Sequence, residues 1–431
     1  MRTARARSPL SLRDRLSEIS VPFWISTTRI GLGLVFAHLV LVLLPQAHQT
    51  IPERVLNNGT WIGAFDRYDS QFYLFIAQHG YPLHPAGLAQ HTAFFPGYSL
   101  LITAVHGLTL GTVSYLTCGT LVSWLAFIGA SVLLYHLAER RFSRRVALIA
   151  TVLFCWFPTS LFFLAPYSEA LFAFEILLVL TLIERNRFLA AALVAAYASA
   201  TSPESVALTL ALMAAVAIVA KSAVRTVVYG AISGVGLGVY MIFLWVQFGT
   251  PFEFIDVQKS WQRSEHFLFV GLYRNVLALE HYITGSGTAR PNPAAPTFAN
   301  LKWVWILDDA ALVLATVLTL ALVAMAVSRW RSSRTPRLAL PAETAAIPLS
   351  YLIVAAVIVI IAACTTISPY ALPQYASSEG EARFVSIAMP LYLSGALLIR
   401  RWTALIAISV AASVILALVF QAMYNLGYWV T

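Results

Sequence analysis

Apolar runs long enough to cross a membrane recur along the 431-residue chain, and this feature restricts its fold more than any other. A transmembrane helix needs about 20 apolar residues to cross roughly 30 Å of hydrocarbon. Only 11% of the residues are charged, against about a quarter in an average soluble protein, and the mean hydropathy is +0.76. The sequence therefore predicts an all-α, polytopic integral membrane protein.

The positions of the runs predict about eleven transmembrane helices. They are 25–45, 114–138, 146–164, 167–183, 188–202, 204–220, 226–248, 303–328, 346–367, 383–399 and 403–425. A basic segment, 1–24, precedes them, and residues 25–431 form a single transmembrane domain. The first apolar run is long enough to remain as a span, so we expect no cleaved signal peptide.

The arginines predict how these helices are oriented. With a cytoplasmic N-terminus, 19 of the 28 Lys and Arg residues fall in six short cytoplasmic segments, as the positive-inside rule requires. Counting the apolar stretch 93–110 as a span would move 140–145 and 329–337 outside. We therefore interpret 93–110 as a short re-entrant or interfacial helix on the outer face. Two large external loops follow from this map, 46–113 and 249–302.

Several function classes are excluded by missing motifs. The chain has neither GxxxxGK[ST] nor GxGxxG, so ATP-driven or dinucleotide chemistry has no predicted site. The three cysteines lack CxxC or CxxH spacing, and His79, His84 and His91 are too loosely spaced for a metal site. No metal or other cofactor is indicated. The net charge of +9 comes from the cytoplasmic arginines and predicts no nucleic-acid partner.

The first external loop contains the strongest catalytic candidates, Asp66 and Asp69. From Asp69 to Gln78, the apolar residues follow helical spacing and predict an amphipathic helix at the membrane surface: Phe72, Tyr73, Phe75 and Ile76. Asp69 is then the N-cap or a first-turn residue of this helix. Capping is one explanation for it. A carboxylate at an apolar boundary is costly unless it is used, so catalysis is the other.

Other polar residues lie at the same predicted face. Glu169 stands at the external rim of the fourth span, either in a functional role or as a helix-terminal carboxylate. The second large loop includes Gln258, Trp261 and Arg263, which alone indicate a surface loop with aromatic anchors. Arg383 begins the tenth span, where a lone arginine is often a head-group anchor.

Together these residues resemble the motifs of the PIG-V-type mannosyltransferases. The matching stretches are 68–77, 80–81, 94–98, 166–172, 248–263 and 383–384. They occur in the family's order over about residues 60–395. The chain departs from the family pattern in three places. Tyr68 replaces a Trp, Phe384 replaces a Tyr, and 201–204 lacks an expected Arg.

The resemblance implies a GT-C glycosyltransferase that uses a lipid-phosphate sugar on the non-cytoplasmic face. The expected reaction transfers mannose from a polyprenyl-phosphate donor, similar to dolichyl-phosphate mannose, to a lipid-linked or glycan acceptor. It inverts the anomeric centre and forms an α-mannoside. The family's catalytic Asp corresponds to Asp69, with Asp66 and Glu169 as supporting carboxylates. The expected donor- and acceptor-binding residues are Arg383, Arg263, Gln258, Trp261, Tyr167 and His79, with Arg383 or Arg263 neutralising the donor phosphate.

The short arginine-rich loops and Ala-rich spans indicate a bacterial member in the cell membrane, with its active site outside. Its expected partners are the sugar donor, the acceptor and membrane lipids. One alternative is a GT-C enzyme that transfers another polyprenyl-phosphate sugar, such as arabinose. The other is a lipid or sugar transporter, which would need internal repeats and broken helices that meet at mid-membrane. We find no repeat, and mid-span ionisable residues are few.

Overall fold

The computed structural model describes residues 12–43, 62–82, 89–261, 263–265, 268–284, 302–333, 347–367 and 381–426. These ranges contain seventeen α-helices and two short strands. The helices of the N-terminal half are α1 (Leu12–Leu43), α2 (Asp69–His79), α3 (Pro96–Leu108), α4 (Tyr115–Arg141), α5 (Arg144–Cys155), α6 (Glu169–Glu184), α7 (Phe188–Thr201) and α8 (Val206–Val219). Those that follow are α9 (Ala223–Ser233), α10 (Val235–Phe248), α11 (Glu253–Asp256), α12 (Leu268–Thr284), α13 (Lys302–Ser333), α14 (Leu349–Cys364), α15 (Glu381–Ser386), α16 (Pro390–Ile399) and α17 (Thr403–Asn425).

A helix or a pair of helices lies in each of the eleven segments that the sequence predicts as spans. Within the described ranges, four stretches are individually long and apolar enough to cross a membrane: Ser20–Val40, Tyr115–Arg141, Ile306–Ser328 and Thr403–Asn425. The pair α9 and α10 meets that standard when taken together, with a 50° bend between its halves. Length and composition thus support four or five spans, and the total of eleven stays a prediction.

The helices have two chemically distinct ends. At one end, Arg141 of α4 pairs with Glu184 of α6 (Nε–Oε1 2.8 Å), and the Tyr351 hydroxyl donates to the same carboxylate at 2.6 Å. Nearby in the sequence, Arg145 Nη2 donates to Thr403 Oγ1 at 3.2 Å. These residues adjoin segments that the arginine pattern assigns to the cytoplasm. The opposite end of α6 begins at Glu169.

Helix α3 stays at the Glu169 end of the bundle. Near its start, the Tyr98 hydroxyl donates to the carbonyl of Gly119 at 2.7 Å, within the second turn of α4. Near its end, the His106 ring stacks on Tyr115, the first residue of α4, with centroids 3.9 Å apart. Both ends of α3 therefore lie beside the first turns of α4, which is the geometry expected of a helix that does not cross.

Helix α2 begins at Asp69, as the amphipathic pattern predicts, and its inner side packs on protein. Ser99 Oγ donates to the carbonyl of Tyr73 at 2.9 Å, and Thr103 Oγ1 donates to the carbonyl of Ala77 at 2.8 Å. Leu74 is also buried. The two hydroxyls of α3 thus fix the position of α2 along the bundle.

The predicted all-α fold class is confirmed, and one short pair of strands accompanies the helices in the described residues. Strand β1 (Arg263–Glu265) pairs antiparallel with strand β2 (Thr365–Ile367), and Ser264 lies opposite Thr366. The β-branched run 365–367 favours an extended backbone. This pairing joins the predicted loop 249–302 to the segment after α14, so the two lie at the same end.

Candidate functional site

Three charged side chains from distant parts of the chain meet at one point. Arg383 of α15 pairs with Asp69, the first residue of α2, with 2.5 Å between Nη1 and Oδ2. The Nε of the same guanidinium pairs with Oε1 of Glu169, the first residue of α6. We call Asp69, Glu169 and Arg383 the charged triad.

Aromatic rings enclose the Arg383 guanidinium. Its Cζ lies 4.8 Å from the ring centroid of Tyr167, 5.0 Å from that of Phe162 and 5.8 Å from that of Phe384. Such cation–π contacts strengthen when the cation is shielded from water. The side chain of Arg383 is only 9% exposed, so the rings and the two carboxylates together hold it in one orientation.

Neighbouring helices fix the backbone of α15. Asp308 Oδ1 of α13 accepts a hydrogen bond from the Ala382 amide at 2.7 Å, and Thr159 Oγ1 donates to the Ala382 carbonyl at 3.0 Å. Within α15, Ser386 Oγ donates to the carbonyl of Arg383 at 2.6 Å. Helix α15 has only six residues, so the bonds that Asp308 and Thr159 make to Ala382 determine where Arg383 lies.

The charged triad contains one cation and two acids, and the acids differ in access. The Asp69 side chain is 19% exposed, whereas that of Glu169 is 8% exposed. In addition, Oε2 of Glu169 has no hydrogen-bond partner among the described residues. Asp69 is thus the carboxylate that an incoming hydroxyl group reaches more easily.

The segment before α2 is held by hydrogen bonds to its carbonyl groups. Tyr424 of α17 donates to the carbonyls of Phe65 (2.9 Å) and Arg67 (3.2 Å), and Tyr167 also donates to Arg67 (2.9 Å). Tyr68 follows with a φ of 55°, a left-handed conformation that non-glycine residues rarely adopt. Because Tyr68 occupies the N-cap position, the Asp69 side chain does not cap the helix.

Asp66 lies outside the charged triad. Its side chain is buried, and Ser70 Oγ donates to its Oδ1 at 3.2 Å. Burial raises the pKa of the Asp66 carboxyl, while the bond from Ser70 and the charge of Arg67 oppose that rise. The contacts of Asp66 are thus local to the turn that precedes α2.

The other predicted binding residues are placed differently. Tyr167 lies beneath Arg383 as described, but His79 is exposed at the far end of α2, where it stacks on Phe75. Ten residues of helix separate His79 from Asp69, about 15 Å. Gln258 Nε2 donates to the carbonyl of Phe254 at 3.4 Å, within its own turn. The side chains of Trp261 and Arg263 lie outside the described part of the structure.

Several site residues were missed by the sequence reasoning. The Tyr73 hydroxyl lies 2.7 Å from Ser168 Oγ and so joins α2 to the start of α6. The sequence indicates Tyr73 only weakly as a site residue, through its place in the amphipathic pattern. It does not indicate Phe162 or Tyr424, because neither differs in its sequence context from other aromatic residues in apolar segments. Within the ranges that the structure describes, no three His, Cys, Asp or Glu side chains group as metal ligands.

The apolar helices and the charged triad at one end of them indicate a multi-pass membrane protein with a polar site. Residues 38–224 match the family model described as mannosyltransferase (PIG-V). This match confirms the resemblance that the motifs predicted over that part of the chain. It includes Asp69 and Glu169 and ends before Arg383.

Relatives with curated names match a similar part of the chain. The GPI alpha-1,6-mannosyltransferase 2 of Mus musculus is 33% identical over 186 residues, which is 39% of this chain and 36% of the mouse protein. The Cricetulus griseus protein of the same name is 35% identical over 147 residues, or 32% and 28% of the two lengths. The chain thus matches roughly a third or less of the length of these relatives.

Among solved structures, the Archaeoglobus fulgidus oligosaccharyltransferase gives a TM-score of 0.42 at 14% identity. The alignment covers 90% of this chain and 53% of the archaeal one. A TM-score of this size does not establish a common fold.

Proposed function

We propose that the protein is a glycosyltransferase of the GT-C type that transfers mannose from a polyprenyl-phosphate donor to a lipid-linked or glycan acceptor. The observation that carries this proposal is the charged triad, which joins two acids and an arginine at one end of apolar helices. The family match over 38–224 supports mannose as the sugar. A lipid-linked donor also agrees with the absence of nucleotide-binding motifs from the sequence.

Asp69 is the general base of the proposed reaction. The acceptor oxygen attacks the anomeric carbon while the bond from that carbon to the phosphate oxygen breaks. The hydroxyl proton passes to Asp69, and polyprenyl phosphate leaves with the bonding electrons. A positioned base of this kind accelerates a reaction about 10²–10⁴-fold. Attack opposite a β-linked phosphate inverts the centre and gives an α-mannoside.

Arg383 orients this base and takes part in donor binding. Its bonds to Asp69 and Glu169 use Nη1 and Nε, which leaves Nη2 to face a donor oxygen. Glu169 shares the charge of Arg383 and supports Asp69 from the opposite side. Tyr167 supplies an aromatic surface beside the same guanidinium. Gln258, Trp261, Arg263 and His79 remain proposed contacts for more distant parts of the donor or acceptor.

The reaction is proposed to occur on the external face of the cell membrane. The ends of the helices that carry the triad lie opposite the Arg141–Glu184 pair. Positive charges of short loops are typical of the cytoplasmic side. The donor's phosphate would then lie at the level of the external head groups.

The proposal is tested by assay of the purified protein with radiolabelled polyprenyl-phosphate mannose and a lipid extract of the native host. Formation of a labelled product that is sensitive to α-mannosidase is the expected result. The Asp256→Asn variant is a control for the same change at Asp69, because Asp256 is an exposed acid that pairs with Lys259 and not with Arg383. Transfer from polyprenyl-phosphate arabinose, but not from the mannose donor, would redirect the proposal to another sugar. No transfer of either sugar would overturn it.

A further inference from the structure

Arg67 is a second buried arginine, and its backbone lies close to the charged triad. The residue is 5% exposed, and its Nε has no hydrogen-bond partner among the described residues. No carboxylate in the described part of the chain lies within 4.0 Å of its guanidinium, as an ion pair would require. A buried cation is costly unless it is paired or hydrogen-bonded. The position therefore favours an anionic ligand.

The nearest acid in the sequence does not fill this role. Asp66 accepts its hydrogen bond from Ser70, at 3.2 Å. The charge of Arg67 lowers the pKa of Asp66 against the effect of burial, but no ion pair joins the two side chains. The Arg67 guanidinium thus has no carboxylate of the described residues in contact with it.

Arg383 is less suited to neutralise an added anion alone. Two carboxylates already contact it, so the charged triad has one more acid than base. A phosphate that approached Arg383 would have to share its N–H donors with both carboxylates. Guanidinium groups bind phosphate oxygens through paired N–H donors. Among the two arginines at this end of α2, Arg67 is the one without a described ion pair of its own.

The backbone of Arg67 is fixed close to the triad. Its carbonyl accepts from Tyr167 at 2.9 Å and from Tyr424 at 3.2 Å. The ring of the same Tyr167 lies 4.8 Å beneath the Arg383 guanidinium. Asp69 follows Arg67 by two residues. A phosphate held by Arg67 would therefore lie near the carboxylate that we propose as the base.

From this geometry we infer that Arg67 binds the phosphate group of the lipid-phosphate donor, while Arg383 mainly positions Asp69 and Glu169. The inference rests on the proposed function and names the residue that recognises the donor's charge. It assigns the chief phosphate contact to a residue that the sequence motifs did not single out.

The test compares two ligands that differ only in the phosphate. Binding of a polyprenyl phosphate and of the uncharged polyprenol of equal length is measured by quenching of the intrinsic tryptophan fluorescence of the full-length protein. We expect the wild type to prefer the phosphate. In Arg67→Gln, the ratio of the two affinities should fall by about tenfold to a hundredfold, the range for hydrogen bonds to charged groups. The Arg185→Gln variant, at an exposed position on α6's opposite end, should keep the wild-type ratio.

The ratio of the two affinities distinguishes a loss of phosphate recognition from a general loss of folded structure. An equal loss of affinity for both ligands in Arg67→Gln would overturn the inference, as would an unchanged ratio. If Arg67→Gln does not fold, Arg67→Lys replaces it, and a ratio equal to that of the wild type would then count against a paired guanidinium contact. The proposed function fails separately, if the wild type transfers neither sugar in the product assay.

Discussion

Two acids that are three residues apart in the sequence have different surroundings. Asp69 faces Arg383 across an ion pair and is the more exposed acid of the triad. Asp66 is buried one turn earlier and accepts a hydrogen bond from Ser70. A general base must lie within reach of the proton that it accepts. Asp69 meets this condition better than Asp66, which is buried.

Replacement of Asp69 by Asn should separate catalysis from structure. The amide oxygen still accepts a hydrogen bond from Arg383 but cannot take a proton, so we expect turnover to fall at least about a hundredfold. Donor affinity and expression should stay near those of the wild type. Asp66→Asn should lose less, because Asn still accepts from Ser70. The measurement is kcat for mannose transfer in both variants. Near-normal turnover in Asp69→Asn would refute its role as base, and similar losses in both would indicate a coupled pair.

The raised pKa of Asp66 predicts a pH dependence of stability. A carboxyl group whose pKa is higher when folded holds its proton more tightly in the folded state. The contribution of this proton to the free energy of unfolding is greatest below the unfolded-state pKa, about 3.9. The contribution is lost as the pH rises through the folded-state pKa. The Asp66→Asn variant has no carboxyl group at this position and therefore lacks this pH dependence.

The Tm of the wild type minus that of Asp66→Asn should therefore increase as the pH falls from about 7 to about 4. Thermal unfolding of both proteins in the same detergent measures this difference. Ser70→Ala is a useful comparison, since it removes the hydrogen bond to Asp66 but leaves the carboxyl group. A difference that stays constant, or that decreases toward low pH, would contradict a raised pKa.

Several helix ends meet at the site, and α17 supports the site through the segment that precedes α2. Helices α2 and α6 contribute their first residues, and α15 is anchored by Asp308. The last turn of α17 holds the segment before α2, because Tyr424 and Asn425 donate to its carbonyls. Tyr68 adopts a positive φ in this segment, which costs about 1–3 kcal/mol for a non-glycine residue. The bonds from α17 stabilise that conformation.

Loss of the Tyr424 hydroxyl should misplace Asp69. Tyr424→Phe leaves two buried carbonyls with one donor fewer, a change that costs about 1–3 kcal/mol. We expect kcat to fall about tenfold with little change in KM. The effect should shrink in an Asp69→Asn background, where the base is already absent. Kinetics of the two single variants and the double variant measure this coupling.

Tyr197→Phe is the matched control for this experiment. It removes a similar hydroxyl-to-carbonyl bond, from Tyr197 to Gly97 at 2.8 Å, at the start of α3. Its kcat should stay within a few-fold of the wild type. If the effects of Tyr424→Phe and Asp69→Asn are simply additive, then α17 does not act through the base.

Local sequence signals predicted the starts of the site helices but not the contacts between them. Asp69 and Glu169 each stand at the first residue of a helix, in agreement with their prediction as a first-turn and a helix-terminal carboxylate. The pair between Arg383 and Asp69 joins residues 314 positions apart. Such pairs depend on how helices pack, which periodicity does not encode. The same holds for the bond from Tyr424 to Phe65, across 359 positions.

Across the whole molecule, the segments that the arginine pattern assigns to one side of the membrane also lie near one another in the structure. The arginines assigned 140–145, 185–187 and 400–401 to one side, and the Arg141–Glu184 and Arg145–Thr403 contacts join their neighbourhoods. The triad lies at the other end of α6. The sequence could predict which loops share a side of the membrane, because the Lys and Arg content of short loops determines how the helices insert. Which end faces the outside is a separate prediction.

Cysteine labelling in intact cells tests that orientation. Thr112 is exposed beside the start of α4, at the triad's end, whereas Arg144 is exposed at the opposite end. Cys118 and Cys155 are buried and Cys364 is partly exposed, so each new cysteine is placed in a Cys364→Ala background. A membrane-impermeant maleimide should label Thr112→Cys in intact cells and leave Arg144→Cys unlabelled, because the membrane excludes the reagent from the cytoplasmic side.

Permeabilised cells provide the control, since both cysteines should then react and thereby prove accessible. The Cys364→Ala background without an added cysteine sets the unlabelled baseline. The reverse result, in which intact cells label Arg144→Cys but not Thr112→Cys, would place the charged triad on the cytoplasmic side. A cytoplasmic triad would leave the internal contacts of the site intact. It would nevertheless require a donor presented from the cytoplasm, and so would contradict the external reaction that we propose.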